Sequence, residues 1–154
     1  MVVAMQTIFK RIKGQKIYFD TNPLIYYIEG HEIFFDVVLP FFEMIGRNEI
    51  LACTSEFTLA EILIKPMREN LQDTVNAYQG LLIESGYFTL LPANVKTFIQ
   101  AATIGGATGM RTPDAIHLAV ALENECKFFI TNDRKIKSVG KLEVIYLTNL
   151  DSKQ

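Results

Sequence analysis

Five short apolar runs punctuate the chain, and the segments between them repeat with helical period. The first, Lys16-Ile-Tyr-Phe-Asp20, stops at an acid. Similar runs, rich in β-branched and aromatic residues, cover residues 49–54, 87–91, 127–131 and 143–147. Nearly continuous apolar runs of this length predict strands buried on both faces. Between the second and third, Leu71, Val75, Tyr78 and Leu82 recur at steps of four, three and four, which predicts one face of a helix over residues 69–84. Thr112 and Pro113 stand where an N-cap and a first helical residue belong, and residues 113–125 leave so little polar surface that this helix is expected deep in the core. Pro40 interrupts the apolar stretch 33–45 and predicts either a kink or a helix start there. Gly105, Gly106 and Gly109 are expected to break the chain ahead of Thr112. Repeated strand–helix alternation points to a three-layer α/β fold with a mainly parallel sheet.

The length of 154 residues suits a single domain over 1–154, with residues 1–15 as an N-terminal extension and 151–154 as a frayed tail. No run approaches the about 20 apolar residues that cross a bilayer, and the opening Met1-Val-Val-Ala-Met5 is too short for a leader. Cys53 and Cys126 lie far apart without ligand spacing and read as buried thiols of a reduced, cytoplasmic protein.

Four acids change the picture. Asp20, Glu61, Asp114 and Asp133 each fall where an element begins or ends. Singly, each has an ordinary explanation. Asp20 could be an N-cap, Asp114 a first-turn acid, Asp133 a turn residue and Glu61 a solvated helix position. Apolar neighbours argue that Glu61 turns inward, however, whereas Glu56 is an ordinary first-turn acid behind the capping Ser55. Together at the carboxyl edge of a parallel sheet, the four would repel one another unless a cation joined them. They therefore read as a divalent-metal site. Asn22 is placed to hold a neighbouring carboxylate, and Thr131 to orient a carboxylate or a water. His117 lies three residues beyond Asp114 and is preferred as a hydrogen-bonded core residue over a ligand. His31 reads as a surface-loop residue.

The formal net charge of −2 is no obstacle to an anionic polymer. Without these four, 13 of the 17 acids remain against 15 basic residues, a mildly basic balance. Lys65, Arg68, Arg111, Arg134, Lys135 and Lys137 are near the acidic motifs in sequence and are candidates for the phosphate backbone, or plain solvated charges.

Asp20-Thr-Asn22, Thr58-Leu-Ala-Glu61, Pro113-Asp114-Ala-Ile-His-Leu-Ala119 and Thr131-Asn-Asp133 occur in an order and spacing that resembles the PIN-domain ribonucleases, in particular the VapC-like toxins of toxin–antitoxin pairs. The resemblance runs from Lys16 to Leu147. It implies a five-stranded parallel sheet between helices, with catalytic Asp20, Glu61, Asp114 and Asp133 in one pocket. By the same resemblance, Asp20 and Asp114 are direct ligands of Mg²⁺ or Mn²⁺, and Asp133 is a direct or water-mediated one. Glu61 holds a second ion or orients the attacking water. The implied partners are an RNA substrate, a small antitoxin and a second copy in a homodimer, with no membrane.

Two other readings compete. A phosphoaspartate-type phosphatase also places Asp20 after a first strand, but requires an acid where Asn22 stands, and a receiver domain requires paired upstream acids that this chain lacks. A PIN-like scaffold that binds RNA or protein without cutting is the non-enzymatic alternative, and retention of all four acids argues against it.

Overall fold

The computed structural model describes residues 3–153, so Met1 and Val2 of the opening apolar stretch and Gln154 of the expected tail lie outside the described residues. Strands β1 (Lys16–Phe19), β2 (Leu51–Ser55), β3 (Phe88–Leu91), β4 (Phe128–Thr131) and β5 (Glu143–Tyr146) form one sheet in the order β3-β2-β1-β4-β5, with every neighbour parallel. Among the described residues, seven α-helices accompany it: α1 (Val3–Ile12), α2 (Thr21–Ile28), α3 (Phe35–Gly46), α4 (Glu56–Arg68), α5 (Gln72–Gln79), α6 (Val95–Thr108) and α7 (Thr112–Glu123).

Strand side chains alternate between two cores, as the pleat requires. Ile17, Phe19, Phe128 and Ile130 face a core built with α1 to α5. Tyr18, Cys53 and Phe129 face the other, which α6 and α7 complete. This is the expected three-layer α/β/α arrangement. Both cysteines are free and buried.

The elements differ from expectation in several places. Residues 3–12 form the docked helix α1, with Met5 and Ile12 buried and Phe9 edge-on to Phe41 at 5.1 Å. Helix α3 passes through Pro40 rather than starting there. Residues 69–71 are a turn with Asn70 at φ 56°, so Leu71 leaves the expected helix face while Val75, Tyr78 and Leu82 stay buried. The rest of that segment is α5 followed by a π-helical turn, Gly80–Glu84. Finally, Gly105 and Gly106 lie inside α6, and only Gly109, at φ 74°, ends it in the left-handed cap that glycine favours. A Cβ at Gly105 would meet the Met110 carbonyl at 3.4 Å and the Ala115 Cβ at 4.0 Å, both ordinary contacts.

Helix α7 begins one residue earlier than its sequence suggests. The Arg111 carbonyl accepts the Ala115 N–H, so Arg111 is the N-cap and Thr112 the first helical residue, not the cap. Every residue from Asp114 to Ala121 is buried. Helices α2 and α4 lead directly out of β1 and β2, the latter through a capping box in which Ser55 accepts the Phe57 N–H and Thr58 bonds back. Connections leave the central strand β1 toward β2 on one side and return through β4 on the other. The carboxyl ends of β1 and β4 thus flank the point where strand order reverses, the usual place for a ligand in an open α/β sheet.

Candidate functional site

Asp20 follows β1 at that reversal point. Its N–H donates to the Ile130 carbonyl at 3.0 Å, which stitches it to β4. One carboxylate oxygen accepts the Thr21 N–H at 2.8 Å and so caps α2. The other accepts the Thr131 hydroxyl at 2.7 Å. The residue is only 6% exposed. Burial pushes its carboxyl up from the ordinary range, against the charge of His117 and those hydrogen bonds. Asp20 therefore caps α2 through one oxygen and is held to the end of β4 through the other.

Thr131 also accepts the Asp133 N–H at 3.0 Å, so a single hydroxyl orients the first acid and shapes the turn that presents the last. Asp133 itself accepts the Lys135 N–H at 2.9 Å. Asn22 works differently from its expected role beside a carboxylate. Its Oδ1 accepts the Asn132 backbone N–H at 2.9 Å, tying the loops after β1 and β4 together.

Glu61 turns inward from α4, as its apolar neighbours predict. Its Oε1 accepts the Thr21 hydroxyl at 3.0 Å and pairs with His117 Nε2. His117 is 1% exposed and shares a 2.6 Å hydrogen bond with the Tyr18 hydroxyl through Nδ1. Burial alone would hold its pKa down, but Glu61, Asp20 and Asp114 outweigh it and leave the imidazole pKa raised. Burial likewise works against the Glu61 charge, and His117, Thr21 and Arg111 overcome it and leave that pKa lowered.

Asp114, in the first turn of α7, is 7% exposed. Arg111 Nε lies 3.4 Å from its Oδ2, and the same guanidinium lies 3.8 Å from Asp133 Oδ2. The four acids thus meet as two pairs, each gathered about a basic side chain: Asp20 and Glu61 about His117, Asp114 and Asp133 about Arg111. Asp20 Oδ1 stands 3.8 Å from His117 Nε2. Among the described residues, no three His, Cys, Asp or Glu side chains stand around one point at ligating range. The donor chemistry nevertheless fits a divalent ion. Three all-oxygen carboxylates rise from adjoining backbone segments, and a guanidinium that is 64% exposed already bridges two of them in a cation's place.

Sequence reasoning places Arg111 among the backbone-binding candidates and misses its contact with the acids. The three-residue step to Asp114 was the available signal. Of the other basic candidates, Arg134 and Lys137 flank the Tyr146 ring at 4.8 and 5.9 Å, with Arg134 bonded to Asn149. Lys65 and Arg68 are exposed on α4. His31 accepts the Ile33 and Phe34 N–H groups within its own turn.

The family profile described as PIN domain matches residues 17–142. The chain belongs to the PIN-domain family. Solved structures share the fold at low identity. A chain of DNA-bound VapBC from Salmonella typhimurium aligns with a TM-score of 0.66 and 16% identity over 86% of this chain and 98% of its own. One from a Klebsiella pneumoniae toxin–antitoxin complex aligns at 0.64 and 17% over 82% and 94%. A sarcin–ricin loop cleaving VapC toxin from Mycobacterium tuberculosis aligns at 0.61 and 13% over 73% and 86%. No curated protein matches this PIN-domain chain. Among the described residues, no helix is long and apolar enough to cross a membrane.

Proposed function

We propose that this PIN-domain protein is a metal-dependent ribonuclease, acting in the cytoplasm as the toxin of a toxin–antitoxin pair. The observation that carries the reading is the buried Asp20, held by Thr131 at the β1–β4 reversal point with Asp114, Glu61 and Asp133 beside it. A carboxylate kept in place against its own desolvation is suited to a cation and otherwise costly. Asp20 and Asp114 would hold Mg²⁺ or Mn²⁺, with Asp133 as the third contributor. When bound, the ion supplies charge stabilisation at the phosphate and a more acidic water.

The chain's own groups do the rest. Thr131 and the Thr21 N–H fix the Asp20 carboxylate before substrate arrives. Glu61, clamped at Oε1 by Thr21 and His117, keeps Oε2 to accept a proton from the attacking water. Water attack in line leaves a 3′-hydroxyl and a 5′-phosphate, and a 2′,3′-cyclic phosphate found by end-group analysis would sink that route. The toxin assignment, with a small antitoxin as partner, draws support from the toxin–antitoxin complexes among the fold neighbours, and a homodimer is proposed beside it.

The test is cleavage of a mixed, structured RNA pool by purified protein with Mg²⁺, Mn²⁺ or EDTA, beside Asp20→Asn and Asp114→Asn. Cutting is expected only with metal and only by the unsubstituted protein, while both variants keep their fold. Metal-independent cutting, or cutting retained in both variants, overturns the assignment. Absence of cutting, with antitoxin carry-over excluded, favours the non-catalytic scaffold.

A further inference from the structure

Arg111 sits at the threshold of α7. Its backbone is the N-cap, at φ −64° and ψ 153°, and its carbonyl takes the first helical hydrogen bond from Ala115, so the root of the side chain is fixed. The arm beyond that root is 64% exposed. From there it reaches Asp114 Oδ2 at 3.4 Å with Nε and Asp133 Oδ2 at 3.8 Å with a terminal nitrogen. One delocalised cation thus joins two carboxylates whose residues belong to different segments. They are two of the three acids that the nuclease reading gives to a divalent ion.

We propose that Arg111 is a built-in competitor for that ion. Its guanidinium closes the Asp114–Asp133 half of the site, and it must swing outward for a divalent cation to take both carboxylates. The inference rests on the metal-dependent nuclease reading and adds to it a residue that sets how tightly the metal is held.

Two positive groups cannot share the same pair of carboxylate oxygens without strong repulsion, so occupancy is exclusive. Releasing the arm costs little, because ion pairs of exposed side chains are weak and screened by salt. The second cation of the site behaves differently. His117 is 1% exposed and held at both ring nitrogens, so it has nowhere to go. Arg111 is therefore the cation that yields. Once displaced, its planar fork of donors stands at the rim of the acids, where a phosphodiester would pass. A guanidinium suits a phosphate as well as a carboxylate. Metal entry and substrate capture are thereby linked: the ion frees the arm, and a phosphate that takes the arm clears the acids for the ion. Such coupling acts equally in both directions.

The experiment is a Mn²⁺ titration of the full chain at low ionic strength, without RNA, read by the loss of the free-ion electron paramagnetic resonance signal. The proteins are the unsubstituted chain, Arg111→Gln, Arg134→Gln and Asp114→Asn, each checked for fold by circular dichroism. Arg134→Gln removes the same charge from the residue that follows Asp133, where the guanidinium bonds Asn149 and lies over the Tyr146 ring rather than joining an acid. Losing two weak ion pairs is expected to make Arg111→Gln bind Mn²⁺ about fivefold more tightly. Arg134→Gln is expected to stay within about twofold of the unsubstituted chain, because its guanidinium is turned to Asn149 and Tyr146 and its charge is screened by solvent. Equal effects of the two arginine substitutions, or weaker binding by Arg111→Gln, overturn the proposal. If Asp114→Asn loses Mn²⁺ while Arg111→Gln matches the unsubstituted chain, the competitor fails and the metal site stands. If no protein binds Mn²⁺, or Asp114→Asn binds it unchanged, the metal-dependent reading fails and the competitor with it.

Discussion

A histidine shut away at 1% exposure is ordinarily neutral, because burial opposes its charge. His117 departs from that expectation because Glu61, Asp20 and Asp114 surround it, and its partner Glu61 is shifted in the matching direction. The signs determine a pH response. With the folded pKa raised, the His117 contribution is fully present below the ordinary histidine value of 6.5 and is lost as pH climbs through the folded value. With its folded pKa lowered, the Glu61 contribution is present above the ordinary 4.5 and is lost as pH falls through the folded value. Asp20 opposes Glu61 on the acid side, since its raised pKa makes the fold favour the protonated form. The alkaline limb is therefore the cleaner one to read. Thermal melts in EDTA should show the midpoint falling as pH rises above about 6.5, and Glu61→Gln should flatten that limb. An equally steep limb in the variant would mean that the pair is not ionic. At this scale Asp20, Asp114 and Asp133 are legible in sequence because each stands at or just beyond the end of an element. Glu61 lies in the middle of α4, not at its end as expected, and is legible only from its apolar neighbours. The basic partners of these acids are not legible. Tyr18 and His117 meet across 99 positions, and only the packing of α7 against β1 brings them together.

Among the elements, the central strands β1 and β4 could be read because burial on both faces leaves a nearly uninterrupted apolar signal. Helix α1 could not. Met5, Ile8, Phe9 and Ile12 do recur at helical spacing, but a ten-residue helix is marginal in isolation, and docking decides whether it forms. What docks it is apolar burial. Ile12 is fully buried, whereas Arg11 reaches Glu143 at 2.9 Å from an exposed position and lies over the Phe128 ring. Ile12→Ala is accordingly expected to cost about 2–5 kcal/mol in denaturant unfolding, by removing a filled core volume. Arg11→Ala should unfold with the unsubstituted midpoint, because water and salt screen an exposed pair. A reversed ranking would make α1 an electrostatically tethered appendage rather than part of the core. The glycines of α6 also mislead. A Gly-Gly step reads as a break, yet both glycines keep helical geometry within α6 and only Gly109 takes the left-handed cap.

For the whole molecule, strand order does what no single motif can. Reversal at β1 and β4 brings together loops that are more than a hundred residues apart in sequence, as in the Thr131–Asp20 bond, and surrounds them with carboxylates. That concentration makes the metal-free protein work against itself. Burial resists the Asp20 charge, and four acids at one edge leave a chain of net charge −2 with its negative potential where an RNA backbone would approach. A divalent cation answers both problems at once, so binding should appear as stability of the entire fold. A ligand that binds only the folded state stabilises it by about 2.7 kcal/mol at a hundred times its dissociation constant. The melting temperature should therefore rise with Mg²⁺ or Mn²⁺ and keep rising with the logarithm of concentration. The same increments should leave Asp20→Asn unmoved, because that variant keeps the shape of the site and loses its charge. If Asp20→Asn rises in step with the unsubstituted chain, the ions are acting on the general surface charge and the β1–β4 edge is not where they bind.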